Sequence, residues 1–292
     1  MRAVDLAREL KAVRSGRQWK CRCVAHEDSS PSMIIFDGRE DRVQVRCLAG
    51  CSSEDIINVL RDRGLWTIKP TDDPQQREKE REEQKKKEHR MRLLARGIFD
   101  EAKPIRGSLA ETYLESRNIH DVARMIDDIR YHATCPRYSG PRYIVQPALV
   151  IAMRSVATNS VVAIQRIFLT RSGRKDGNGM MLGPASGAAM KLQHLQNHAL
   201  HICEGLETGL SILAMDQGPV WAVGSTSNMQ NFPILDSVNK LAIWADNDEA
   251  GLKAAAMCEQ RWTSARKTVE VHTPKKGARD FNDVWSYRCA RL

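Results

Sequence analysis

Residues 241–251 read LAIWADNDEAG, and the fold turns on how this stretch is read. Leu241 to Ala245 form a short apolar run of the length of a buried strand. Asp246 and Asp248 follow at once, one residue apart, with Gly251 behind them. Two carboxylates at the end of a buried strand repel each other and lose hydration, so each needs a partner. Two kinds of partner suit these residues. A divalent cation can be shared by acids at i and i+2. Backbone N–H groups can serve instead, because D-N-D-E ahead of a helix is good capping chemistry.

Working outward, the pattern from residue 199 alternates strictly. Strand LHICE leads to helix TGLSILAMDQ, strand VWAVGS to a short helix around MQNFPILDSV, and strand KLAIWAD to helix EAGLKAAAMCEQRWTSA, with strand TVEVHTP last. Repeated β-α units imply a small parallel sheet, whose functional residues gather outside the carboxyl ends of the strands. Acids stand at three such ends. Glu204 closes LHICE and precedes Gly205, Asp246 and Asp248 follow the central strand, and Asp280 and Asp283 lie in ARDFNDVW. Capping accounts for Asp248 but not for Glu204 or for the third group.

The N-terminal part has a different chemistry. In WKCRCVAHEDSSPSMIIFDGREDRVQVRCLAGC, Cys23-x2-His26 stands 20 residues before Cys47-x3-Cys51. Two short-spaced pairs of sulfur and nitrogen ligands are what tetrahedral Zn²⁺ needs, and SMIIF and RVQVRC supply strands to bring them together. Gly50 gives the second pair a flexible turn. Cys21 is a spare thiol; Cys23 has the better ligand spacing to His26. The eight cysteines fit metal ligation or buried thiols better than a disulfide framework, because the N-terminus has the charge of a cytoplasmic start rather than a secretory signal. No apolar run approaches the roughly 18 residues needed to span a bilayer, and mean hydropathy is −0.46.

Between these parts, EDIINVLRDRGLW reads as an amphipathic helix closed by Gly64, TIKPTDDPQQ (67–76) as a linker, and REKEREEQKKKEHRMR (77–92) as a solvated helix. SLAETYLESRNI (108–119) reads as a helix with Leu109, Tyr113 and Leu114 on one face, and residues 143–170 as a hairpin or meander turning at TNS. The net charge of +9 is unevenly placed. Residues 85–200 hold 19 Lys and Arg against 9 Asp and Glu, whereas residues 201–292 hold 10 against 11. A basic middle beside an acidic end suits a surface for a polyanion next to a site for cations. Arg166 is a cation inside an apolar strand, a costly place for it. Lys175 and Lys191 flank the glycine-rich segment 171–192, where a phosphate could approach the backbone; for Lys175 an exposed loop lysine explains the sequence equally well. Aromatic content is 5%, so contact with nucleic acid would rest on backbone electrostatics, weakening with salt, rather than on base stacking.

Two resemblances connect these features. CVAHEDSSPS resembles the Cys-Pro-x-His-x-(Asp/Glu)-x-x-Pro-Ser segment of the zinc-binding domain of DnaG-type DNA primases, with Val24 in place of Pro. The C-x-AGC form, with three residues inside the second pair, looks more like phage and mobile-element versions. CEGLETGLS, ADNDEAG and DFND resemble, in order and context, the acidic signature of the Toprim domain shared by primases, topoisomerases and some nucleases. The implied class is a multidomain α/β and α+β chain. It has a zinc-binding β module (1–68), a charged linker and helix (69–97), a basic α+β polymerase subdomain (98–198) and a parallel-sheet Toprim domain (199–292). The resemblance implies a primase making short RNA on single-stranded DNA from NTPs. Zn²⁺ is implied at Cys23, His26, Cys47 and Cys51. Mg²⁺ or Mn²⁺ is implied at Asp246 and Asp248, with Glu204 as a further ligand or general base, Asp280 as a weaker ligand and Asp283 as structural. Arg166, Lys175 and Lys191 resemble cations that contact template and nucleotide. A separate replicative helicase is expected as partner, since no G-x-x-x-x-G-K-[ST] appears and the sequence stops soon after the Toprim segment. A Toprim nuclease and a catalytically idle DNA-binding replication or defence accessory use the same residues.

Overall fold

The computed structural model describes residues 2–16, 18–28, 30–38, 43–66, 74–139, 142–275 and 277–291. The expected linker over 67–76 therefore lies, for 67–73, outside the described residues. The chain divides into two compact units, Met1–Arg81 and Glu82–Leu292.

The first unit holds α1 (Ala3–Glu9), β1 (Val13–Ser15), β2 (Gln18–Cys21), β3 (Met33–Asp37), β4 (Val43–Cys47) and α2 (Ser53–Asp62). The four strands form an antiparallel sheet in sequence order. Alternation fixes its faces: Val43, Val45 and Cys47 of β4 point inward while Gln44 and Arg46 point out. The inner face packs Met33 and Ile35 against Leu6 of α1 and Ile56 and Leu60 of α2. Ser52 caps α2 by accepting from the Asp55 N–H at 3.0 Å.

Helix α3 (Pro74–Glu101) crosses the division, and β5 (Lys103–Pro104), α4 (Leu109–Glu115) and α5 (His120–Ala123) follow it. Next come β6 (Ile129–Ser139), β7 (Arg142–Ser155), β8 (Val161–Phe168), β9 (Met180–Leu182) and β10 (Ala188–Lys191). The remainder is β11 (Ala199–Cys203), α6 (Leu206–Ala214), β12 (Val220–Ala222), α7 (Thr226–Gln230), β13 (Lys240–Trp244), α8 (Glu249–Ser264), β14 (Thr268–His272) and α9 (Phe281–Cys289). The β-α alternation read from the sequence is present, and β14, β13, β11 and β12 pair in parallel. This sheet does not end there. β12 pairs antiparallel with β10, and β10 with β7, so one ten-stranded mixed sheet runs from β14 to β5. The glycine-rich segment 171–192 contains two of these strands, β9 and β10.

β11, β12 and β13 are largely buried on both faces because helices cover both, whereas β14 is mostly exposed. Leu241 and Ile243 pack with Trp262 and Cys258 of α8, while Ala242 and Trp244 pack with Leu206 and Leu210 of α6 and Phe281 of α9. The mixed-charge helix becomes apolar toward its end, where Ala95, Ile98 and Phe99 cover Val150, Ile164 and Phe168. Each such buried side chain contributes about 1.5–3 kcal/mol relative to exposure. No helix of the described residues is long and apolar enough to cross a membrane.

Candidate active site and metal centre

In the first unit, β2 and β4 end near each other because β3 pairs with both. The turns that follow carry Cys23, His26, Cys47 and Cys51, whose ligand atoms all lie within 4.8 Å of one another. His26 Nδ1 is 3.1 Å from Cys51 Sγ and 4.0 Å from Cys47 Sγ. The opposite ring nitrogen, Nε2, faces Asp28 Oδ1 at 3.6 Å, the carboxylate–histidine arrangement that orients a metal-binding ring. Asp28 is itself fixed. Its Oδ2 accepts from Ser32 Oγ at 2.6 Å and from the Cys23 N–H at 2.7 Å, and these bonds, Ser32's first, hold its carboxyl down at about 2. Three sulfurs and one imidazole nitrogen at this spacing fit a structural Zn²⁺. Cys21 is outside the group; burial pushes its thiol up to about 11.

In the second unit, register creates the acidic site. Cys203 of β11 lies opposite Trp244 of β13, and Trp244 opposite His272 of β14. The residues that follow therefore leave the sheet at one edge. Glu204 and Asp246 emerge there, with Asp248 two residues on. Asn247 ties this loop to the next: its N–H donates to Arg279 O at 2.8 Å and its Nδ2 to Ala278 O at 3.3 Å, which brings Asp280 alongside. Phe281 packs edge-on against Trp244, centroids 4.7 Å apart, and holds the start of α9 in place.

The four acids feel one another. Burial, then Glu204, Asp280 and Asp248, push the Asp246 carboxyl up to about 7. Burial and Asp248 raise Glu204. Thr208 donates to the Asp246 carboxylate, yet Asp246 Oδ1 is buried without a hydrogen-bond partner among the described residues. An orphaned carboxylate oxygen among like charges is what a hard divalent cation relieves, so the donor set fits Mg²⁺ or Mn²⁺. The capping expected of Asp248 is present. The residue is the N-cap of α8, with Oδ1 accepting from the Gly251 N–H at 2.7 Å, and it also belongs to the acidic group. Gly251 has a steric reason: a Cβ there would lie 2.9 Å from Asp246 O and 3.2 Å from Asp248 Oδ1. Asp280 likewise caps α9 through the Asp283 N–H at 2.8 Å. Asp283 turns to Arg279, 3.1 Å from its Nε.

The three expected cations separate. Lys175 joins the acidic side, with Nζ 3.0 Å from Glu207 Oε1 on the first turn of α6. Arg166 does not: it is 6% exposed, donates from Nη1 to Pro136 O at 2.7 Å and lies over the Phe168 ring in the core beneath α3. Lys191 lies over the Trp221 ring at 4.4 Å and donates to Asn159 Oδ1 at 3.0 Å, in a cleft of about 730 Å³ shared with Arg154 and Asp128. Sequence reasoning missed Tyr113, Thr208, Asn247 and Glu207. The last is inside CEGLETGLS, but nothing in that string signals that its partner is a tyrosine 94 residues away.

Comparison with known proteins agrees with this geometry. Residues 199–290 match the Toprim domain family, and residues 89–192 match a domain of unknown function, DUF7146. No protein of curated function matches the chain in sequence. The primase of Aquifex aeolicus, in its zinc-binding and RNA polymerase domains, is similar with a TM-score of 0.51 and 15% identity, over 100% of this chain and 82% of that one. A DnaG catalytic core gives 0.51 and 13%, over 68% and 76%. A DNA primase domain from Pseudomonas aeruginosa gives 0.50 and 11%, over 69% and 77%. At these identities the likeness is one of fold. Residues 199–290 are thus a Toprim domain, preceded in the chain by a Cys₃His module and a basic α+β segment, and the fold is similar to that of DnaG-type primases.

Proposed function

We infer that the protein is a DNA primase that joins ribonucleotides on a single-stranded DNA template by metal-dependent nucleotidyl transfer. The observation that carries this is the convergence of Glu204, Asp246, Asp248 and Asp280 at one sheet edge, with Asp246 Oδ1 buried and unpartnered among the described residues. A divalent cation bound there neutralises triphosphate charge and makes the attacking 3′-hydroxyl more acidic. Asp246 and Asp248 hold that cation, and Glu204 either completes its ligands or accepts the hydroxyl proton. Asp280 supports a second ion. Lys175, held against Glu207 in the first turn of α6, presents an ammonium to the incoming phosphates. Template binding rests on the basic segment 85–200, so it weakens as salt rises. The first unit holds Zn²⁺ as a structural metal. The protein works in a reducing, cytoplasmic setting, where zinc-ligating thiols persist, and with a separate replicative helicase as partner.

The test is incubation with single-stranded DNA, NTPs and Mg²⁺ or Mn²⁺, followed by separation of products. Short RNA that disappears in Asp246→Ala supports priming. Cleaved template would assign the same acids to a nuclease, and intact template with no RNA would assign the chain to a non-catalytic DNA-binding role.

A further inference from the structure

One acid at this edge is absent from the metal reading. Glu207 stands in the first turn of α6, and its side chain is 14% exposed. Oε1 accepts from Tyr113 Oη at 2.5 Å and from Lys175 Nζ at 3.0 Å. Burial pushes its carboxyl up, but Lys175 and Tyr113 outweigh burial and hold it below the usual range, whereas Asp246 and Glu204 are raised. Glu207 is therefore the acid of this group that already has its cation.

The segment carrying Lys175 is fixed at several points. Leu169 and Lys175 form a β-bridge, and the Asp176 N–H donates to Phe168 O at 2.8 Å. The Asp176 carboxylate accepts from Gln146 Nε2 at 2.7 Å and from Arg137 Nη1 at 2.8 Å. Gly173, at φ +74°, lets the same turn press on α4: a Cβ there would lie 2.9 Å from Thr112 Cγ2. The backbone under Lys175 is thus set, while its four-carbon stem is 38% exposed and, among the described residues, its ammonium is directed by Glu207. An unanchored lysine of this kind carries about 2 kcal/mol of rotamer entropy. Tyr113, buried on α4, holds the anchor in turn, and its hydroxyl also feels Asp280.

The geometry points to Glu207 as a positioning residue that, braced by Tyr113, aims the Lys175 ammonium at the phosphates of a nucleotide that would bind through the cation of the neighbouring carboxylates. This rests on the nucleotidyl-transfer reading above and names the regulation of its nucleotide affinity. A lysine acts on phosphate as a point charge, so its value depends on where the stem places it.

The experiment is steady-state RNA synthesis on single-stranded DNA by Glu207→Gln, Lys175→Ala and the double variant, with melting temperatures taken alongside. Glu207→Gln keeps an acceptor and removes the charge; it is expected to raise KM for NTP about tenfold while kcat stays within about twofold. Lys175→Ala should do at least as much, and the double variant should be no worse than Lys175→Ala, because Glu207 acts through that lysine. Unchanged KM with a lowered melting temperature would make Glu207 a structural acid and overturn the proposal, as would multiplicative effects in the double variant. If wild type makes no RNA, the primase reading fails on its own. Calorimetric binding of ATP with Mn²⁺ then decides the positioning role by the same ordering of variants, and no ATP binding by wild type overturns it.

Discussion

Replacing Asp246 by Asn should stabilise the metal-free protein at alkaline pH while removing its response to Mg²⁺. The carboxyl sits at about 7 instead of its ordinary 3.8, because burial and three neighbouring acids oppose its ionisation. A gap of about three pH units at 1.36 kcal/mol each sets a ceiling of about 4 kcal/mol. The side chain is half-buried and its neighbours are screened by water, which reduces the net effect to about 1–2 kcal/mol. The sign follows from proton binding. Between about pH 4 and 7 the folded state keeps a proton that the unfolded state has lost, so this group's contribution to stability falls as pH rises through that window and is fully lost above about 7. Asn has no proton to lose. The difference between variant and wild type should therefore be about a third as large at pH 5 as at pH 8. At pH 8 it should appear as a melting temperature about 2–6 °C higher in the variant. Acid effects on the zinc group are common to both proteins and cancel in the difference. The assay is thermal denaturation of zinc-loaded protein in magnesium-free buffer, repeated with millimolar Mg²⁺; wild type should gain stability from the ion and the variant should not. A variant less stable than wild type at pH 8, or a difference independent of pH, would show that Asp246 bears no unrelieved charge and would refute the reasoning.

Two further outcomes test the neighbouring geometry. Cys47→Ser should release zinc and unfold the first unit, since a structural zinc supplies much of the folding free energy of a module this small. Metal analysis together with hydrogen exchange over residues 2–66 checks this, and one retained zinc per chain would contradict the ligand set. Gly251→Ala should leave the fold intact but displace Asp246 and Asp248, because its Cβ would press on Asp246 O; calorimetric titration should show Mg²⁺ affinity lowered about tenfold or more, and unchanged affinity would remove the steric role assigned to this glycine.

The residues of the acidic site were legible because their chemistry is local. An apolar run of strand length that ends in an acid is a signal carried by six or seven consecutive positions, and it repeats at Glu204 and Asp246. The zinc group is legible for the same reason, with Cys23 and His26 on one turn and Cys47 and Cys51 on another. Arg166 shows where the logic stops. A cation in an apolar strand reads as functional, but its guanidinium lies against Phe168 and reaches the Pro136 carbonyl, on a strand that only pairing with β7 brings near. Lys191 and Lys175 look alike in a glycine-rich segment, yet β10 carries one to Trp221 and the β8–β9 turn carries the other to Glu207.

Sequence alone was enough for β3, β4, β7, β8 and the strands from β11 onward, for the Asp248 cap and for the ligand types, because these depend on hydrophobic period and on side chains within a few residues of each other. Tertiary structure decided the rest: the register that brings Glu204 level with Asp246, the Asn247 bonds that bring in Asp280, and the Tyr113–Glu207–Lys175 contact. Each joins positions tens of residues apart, and contacts of that range are set by how the sheet and its covering helices pack, which no local pattern encodes.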